Sequence, residues 1–594
     1  MTQRIEDYAL IGDLQTAALV GKDGSVDWLC LPRFDSGACF AALLGDENNG
    51  HWRIAPTGAR TCARRSYVGE SLVLESVWET RTGSVRVVDF MPQRDRSPDL
   101  MRVVEGLSGR VEMSSVLRLR FDYGAIVPWV RRVDGHRVAV AGPDAVWLRS
   151  VPQVKTWGQQ YSTCSSFTVG PGERVSFTLT WHPSHESCPP LVDPVEALEH
   201  TLEDWKAWAS RCTYEGPYRD AVMRSLITLK ALTYAPTGGI VAAPTTSLPE
   251  EMGGVRNWDY RFCWLRDATL TLRALVAGGY GEEAVAWRDW LLRAVAGDPA
   301  DLQIMYGLGG ERRLPELEIP WLRGYGGARP VRIGNAAVDQ LQLDVYGEVL
   351  DALHVARAAG MPPKRHAWAL QLSLLGFLES TWRQPDEGLW EVRGPRRHFV
   401  HSKVMAWVAA DRAVRTLEAD PSLPGDPARW RAMRDEVHRE VCERGYDPAR
   451  NTFTQSYGSR ELDAATLMIP RVGFLPPDDP RVVGTVEAVW RELGQDGFVH
   501  RYSQDGMAVD GLPGGEGTFL ACSFWMADAL RLIGRRDQAR EMFARLVDLC
   551  NDVGLLAEEY DPVTRRQLGN FPQAFSHVAL VVTALALAEE DAAG

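Results

Sequence analysis

Two periodicities divide the chain. Up to about residue 185, apolar and polar residues alternate with period two. Val175, Phe177, Leu179 and Trp181 interleave with Ser176, Thr178 and Thr180, which predicts a half-buried strand. Leu117, Leu119 and Phe121 alternate with Arg118 and Arg120, and Asp23-Gly24 and Asp134-Gly135 supply hairpin-type turns. Residues 1–190 are therefore expected to form an antiparallel β-sandwich.

From residue 193 the period changes. DPVEALEHTLEDWKAWASRC opens with Asp and Pro, as helices do, and predicts a linker helix within residues 191–214. Residues 215–594 carry twelve helical segments, near 217–235, 266–278, 282–297, 337–359, 365–381, 401–418, 427–444, 459–468, 480–493, 517–533, 536–551 and 573–590. Their character differs. The eleventh puts Ala539, Met542, Phe543 and Leu546 on one stripe with Arg540, Glu541 and Arg545 opposite, whereas the tenth and twelfth are almost free of charge. Exposed odd helices and buried even helices predict six hairpins closed into a double-walled toroid. The fold class expected is multidomain, a β-sandwich followed by a helical toroid.

Composition narrows the chemistry. With 65 basic and 78 acidic side chains the net charge is −13, the wrong sign for gripping a phosphate backbone, so nucleic acid is excluded as a partner. No apolar run is long enough to span a bilayer, and the start lacks the features of a signal peptide, so a cytoplasmic protein without a membrane partner is expected. Ten cysteines form no CxxC pair, and His398 and His401 lack a third ligand at metal spacing; neither a metal nor another cofactor is expected. GLGGER at Gly307 has no preceding strand and reads as a turn. Lys403 stands out in a chain dominated by Arg, without a role that the sequence defines. The chain could equally be a monomer or a homo-oligomer.

In a toroid of this kind, every connection from an odd to an even helix emerges on one rim. Those connections are NWDYRFCWLRDATL (257–270), PELEIPWLRGYGGARPVRIGN (315–335), GLWEVRGPRRH (388–398), GFVHRYSQDG (497–506) and GLLAEEYDPVTRRQLGNFPQ (554–573). They collect Trp, Tyr, Arg, Asp and Glu. A pyranose presents apolar C–H faces that stack on aromatic rings and a circumference of hydroxyls that need charged or amide partners, so the rim suits a small sugar. Breaking a glycosidic bond needs one carboxylic acid for the leaving oxygen and one carboxylate on the opposite side. Glu391 and either Glu558 or Glu559 are available.

GLWEVRG, NWDYRFCWLRD, PVRIGN, LLAEEYDP and GNFPQAFSH resemble glycoside hydrolase family 15, the bacterial glucoamylase and trehalase-like group, and the likeness extends over nearly the whole chain. It implies an (α/α)6 catalytic toroid. The family's acid motif falls on Gly388, Leu389, Trp390 and Glu391, implying Glu391 as general acid. Its base motif falls on Leu555, Leu556, Ala557 and Glu558; register leaves Glu559 as the alternative base, and Glu558 is favoured. The glucose-holding signature maps onto Trp264, Arg266 and Asp267, with Tyr260 under the reacting ring; Trp390, Arg501 and Glu559 complete the implied substrate contacts. An inverting mechanism with β-glucose as product is implied, requiring a carboxyl separation of roughly 6.5 to 9.5 Å and a raised pKa at Glu391, for which Glu387 and Trp390 are candidate causes.

Each feature also has a plain structural reading. Trp264 and Trp390 suit a core, and Arg266-Asp267 suits an ion pair at a helix start. Together they favour an inverting, exo-acting α-glucoside hydrolase for short α-glucosides, with a trehalase as the alternative. An inverting phosphorylase would use phosphate in place of a carboxylate base, and a silent sugar-binding protein would need neither glutamate.

Overall fold

A computed structural model describes residues 3–361, 364–503 and 510–593. Residues 504–506, the end of the expected rim connection 497–506, lie outside the described residues.

The N-terminal part holds two antiparallel sheets of eight strands each. Their inner faces meet through Trp52 of the first and Phe177 of the second, edge to face at 6.4 Å, with Phe167 against Phe177 at 5.4 Å. Between them lies Arg102, fully buried. It pairs with Asp89 at 2.7 Å and donates to the carbonyls of Trp52 and Gly24 at 2.7 and 2.8 Å. The strand predicted around Phe177 runs Arg174–Pro183, but it is covered on both faces, since Ser176, Thr178 and Thr180 are buried as well. It is a central strand, paired with Asp144–Val151 on one side and Asp99–Gly109 on the other.

Helix α1 (Pro194–Ala209) starts where Asp193 accepts the backbone N–H groups of Val195 and Glu196. It joins the two halves of the molecule. Ala197, Leu198 and Leu202 pack on Val73, Val88, Phe90, Met101 and Val103 of the second sheet. Further along, Trp208 stacks on Tyr280 at 4.0 Å and donates to Glu283.

Twelve further α-helices follow among the described residues: α2 (Arg219–Ala231), α3 (Leu265–Ala277), α4 (Gly281–Ala294), α5 (Asp344–Ala358), α6 (Arg365–Thr381), α7 (Val400–Ala419), α8 (Pro427–Arg444), α9 (Met468–Arg471), α10 (Pro480–Leu493), α11 (Leu520–Leu532), α12 (Arg536–Val547) and α13 (Ala574–Ala593). Helices α3, α5, α7, α9, α11 and α13 touch in that order and α13 returns to α3, closing an inner ring. The others pack outside it. The division matches the charge pattern: α11 is buried from Leu520 to Leu530, whereas α8 buries only Trp430, Met433, Val437 and Val441.

Several expected helices are shorter than their patterns, and two depart most. The fourth begins at Asp344, because the preceding backbone N–H groups of Leu341 and Leu343 are taken by the carboxylates of Glu387 and Asp386. The eighth is a tight turn, Ala464–Leu467, capped by Asp463 and followed by the single turn of α9, which contains Pro470 and stops before Gly473. None of the described helices is long and apolar enough to cross a membrane.

The sandwich braces the rim connections. Trp28 Nε1 donates to the Pro244 carbonyl at 2.8 Å, Arg65 pairs with Asp552 at 2.8 Å, and Asn551 Nδ2 donates to the carbonyls of Glu6 and Tyr8. Lys403, buried on α7, donates to the carbonyls of Trp382 and Gln384 and so fixes the end of α6.

Candidate active site

Four of the odd-to-even connections converge on one hollow with an empty volume of about 660 Å³. Its lining includes Tyr260, Trp264, Arg266, Asp267, Trp390, Glu391, Arg501 and Glu558. Residues more than a hundred positions apart are thus brought together by closure of the helical ring. The connection 315–335 reaches the site indirectly, through Arg332, whose guanidinium lies 4.5 Å from the Trp258 ring, and through Glu316, which pairs with Arg393 at 3.2 Å.

Glu391 ends a tight turn that begins at Gly388. Gly388 has φ +70°, and a Cβ there would lie 2.6 Å from the Phe399 ring, so the turn needs glycine. Glu391 itself has φ +59°, in the left-handed region where a long side chain is disfavoured. Its Oε1 accepts a hydrogen bond from Trp264 Nε1 at 2.7 Å and lies 3.9 Å from Arg266. Burial raises its pKa, while Arg266 and the Trp264 N–H act in the opposite direction. The expected perturbers are engaged elsewhere. Glu387 accepts from Leu341 N–H and pairs with Arg396, and Trp390 Nε1 donates to Asp463 at 2.8 Å.

Arg266 and Asp267 do form the ion pair that a structural reading anticipates, at 2.7 Å. The guanidinium does more, because it also donates to the Leu389 carbonyl at 2.7 Å and so ties the start of α3 to the turn carrying Glu391.

Glu558 is buried, with its Oε1 accepting from the Tyr260 hydroxyl at 2.7 Å. Tyr260 and Trp264 meet edge to face at 5.3 Å. The two glutamates are therefore each hydrogen-bonded to a different ring of one aromatic pair, within one hollow. Burial pushes Glu558 up to about 8, with Glu250 adding to the rise and Arg501 opposing it. Glu559 points elsewhere. It opens the short strand Glu559–Asp561, its Oε2 accepts from Gly517 N–H at 2.8 Å, and it does not line the hollow.

Glu559 belongs to a buried cluster with Glu250 and Glu516, gathered around Arg501. Arg501 donates to Glu250 at 2.9 Å and lies over Trp390, Phe519 and Tyr502. Arg256 pairs with Asp510 at 2.5 Å and with Glu516 at 3.3 Å. Sequence reading missed Glu250, Arg256, Asp510 and Glu516, which sit in loops outside the recognised strings. Trp258 and Phe575, which also line the hollow, sat inside the quoted motifs and were legible there.

Residues 216–585 match the sequence model of Glycosyl hydrolases family 15, and residues 1–161 match that of the Trehalase-like, N-terminal domain. The chain belongs to glycosyl hydrolases family 15. It is 38% identical to a trehalase of Mycobacterium tuberculosis, over 99% of this chain and 90% of the relative, and 35% identical to a trehalase of Thermoplasma volcanium, over 99% and 94%. An isomaltose glucohydrolase of Kribbella flavida is 28% identical over 45% of this chain and 66% of the relative. A crystal structure of a bacterial glucoamylase complexed with acarbose superposes with a TM-score of 0.69, at 12% identity, covering 99% of this chain and 94% of the other. The family member thus has the glucoamylase fold, a sandwich followed by an (α/α)6 toroid.

Proposed function

We propose that this family 15 glycoside hydrolase is a trehalase, splitting α,α-trehalose with inversion at the attacked carbon. The sequence reading put exo-hydrolysis of short α-glucosides first and trehalose second. Full-length relatives that are named trehalases, at 38% and 35% identity, support the reverse order.

The observation that carries the chemistry is the pair of glutamates in one hollow, each hydrogen-bonded to its own aromatic ring. Glu391 in its protonated form donates to the bridging oxygen. Glu558 in its ionised form takes a proton from a water that attacks C1 of the held ring from the opposite face. The C1–O bond breaks, the held ring leaves as β-glucose, and the departing ring keeps its configuration and leaves as α-glucose. Glu558 is favoured over Glu559 as base because it lines the hollow, whereas Glu559 serves Gly517 and Arg501. Tyr260, Trp264, Arg266, Asp267, Trp390 and Arg501 supply the walls for the held ring.

Proton NMR during the first turnovers on trehalose tests both parts. Inversion yields α- and β-glucose in equal amounts, and retention yields α-glucose alone; a pure α-signal rejects the mechanism. Faster hydrolysis of maltose or isomaltose than of trehalose rejects the substrate, and glucose 1-phosphate as product would point to a phosphorylase.

A further inference from the structure

The β-sandwich carries a second hollow, lined by none of the residues of the first. Its empty volume is about 1080 Å³, and it opens between the outermost strand of the second sheet, Trp129–Val133, and that of the first, Thr156–Gln159. Leu117, Leu119, Val130, Ala139, Val146 and Leu148 form its wall. Val127 and Tyr161 stand at its mouth, 53% and 82% exposed. Against this wall a sugar would press hydroxyls on aliphatic groups that cannot hydrogen-bond, whereas an alkyl chain would be accommodated; the rest of the lining is polar, at Arg137, Gln159, Gln160, Ser162 and Thr163, and can hold a hydrophilic head group.

The charge around the mouth is the second observation. The chain as a whole carries −13, yet arginines gather here and make their hydrogen bonds to neutral oxygens. Arg118 donates to Ser162 Oγ, Asn48 Oδ1 and the Gln160 carbonyl. Arg120 donates to the Leu119 carbonyl. Arg132 and Arg137 face each other across the ladder, and both donate to the Thr156 carbonyl, at 3.1 and 3.0 Å. Like charges in directly opposed positions repel. Among the described residues, none of these four arginines pairs with an Asp or Glu. A hollow with one aliphatic wall, edged by guanidinium groups that no carboxylate neutralises, fits a ligand with an apolar tail and an anionic head.

We propose that this hollow binds a single-chain alkyl carboxylate of the fatty-acid class, its tail between the sheets and its carboxylate met by Arg137 and Arg132. Calorimetric titration of the full chain with octanoate and decanoate, below their micellar concentrations, tests it. The expected result is one molecule bound per chain, with affinity rising about fourfold per added methylene. Decanol, with the tail but no charge, is expected to bind at least tenfold more weakly. Arg137→Gln, and Val127→Glu at the exposed mouth, are each expected to weaken decanoate at least tenfold while trehalose turnover stays unchanged.

The proposal is overturned by any of four results: no saturable binding, equal affinity for decanol, indifference to both variants, or co-sedimentation with phosphatidylglycerol vesicles in place of binding the free carboxylate. None of these outcomes depends on the glutamates, so the trehalase reading stands or falls separately.

Discussion

Two buried groups of charges, one in each half of the molecule, are handled in opposite ways. In the sandwich, Arg102 and Asp89 form one pair through Nε and Nη2, and Nη2 and Nη1 also donate to the carbonyls of Gly24 and Trp52. In the toroid, Glu250, Glu516, Glu558, Glu559 and Asp510 share Arg501 and Arg256, and one oxygen of Glu559 has no hydrogen-bond partner. Acids outnumber bases there, so burial lifts the pKa values of Glu250, Glu558 and Glu559. A balanced, saturated pair holds two sheets in register. An unbalanced cluster instead makes its carboxyls harder to ionise beside the hollow.

The sharpest test of this contrast is within the toroid. Glu391→Gln and Glu558→Gln are each expected to lower kcat by about 10²- to 10⁴-fold, as loss of a general acid or base does, with thermal unfolding little changed. Glu559→Gln should keep activity within about tenfold of the wild type. Equal losses at 558 and 559 would undo the assignment of the base.

In the sandwich the expected effect is on stability. Arg102→Met leaves Asp89 buried without its partner and should cost about 3–5 kcal/mol in urea unfolding, with KM for trehalose unchanged in the folded fraction. The double variant Arg102→Met, Asp89→Leu should recover most of that loss, because an apolar pair can replace a buried ion pair. A single variant as stable as the wild type would mean that the pair does not organise the core.

The smallest expected effect concerns pH. On the proposed mechanism activity needs Glu558 ionised, so it should fall as pH drops through the pKa of that group, which burial and Glu250 push up to about 8. The charge of Glu250 contributes to that elevation. Glu250→Gln should therefore move the acid limb of the kcat/KM profile to lower pH, and an unmoved limb would show that the cluster does not tune the base.

Much of this architecture was legible as pattern. Period-two alternation marked the strands, and the contrast between striped and uniformly apolar helices marked the outer and inner walls. It also placed the rim before any motif was invoked. What escaped depended on contacts distant in sequence. The stretch 337–343 looks continuous with α5, but it holds only the end of a 3-10 turn, Ala336–Asp339, after which Glu387 and Asp386 take the N–H groups of Leu341 and Leu343. The helix expected at 459–468 is shortened by a cap at Asp463 and followed by Pro470, and only the folded ring shows where α11 needs its neighbour. Glu391 and Glu558 were legible because each sits in a recognisable string. Glu250 and Glu516 were not, since an acid in a loop outside such a string gains meaning only once Arg501 is folded against it.

The turn that presents Glu391 has a further consequence. At φ +59° the main chain there is better suited to glycine or asparagine than to glutamate. Either replacement is expected to relax the turn and to lose the proposed acid, so a calorimeter and an activity assay should rank the variants in opposite orders. With Glu391 as the proposed acid, heat resistance and chemistry are incompatible demands at this one position, and a search for hardier versions of the enzyme that scored survival alone would discard the group assigned to protonate the leaving oxygen.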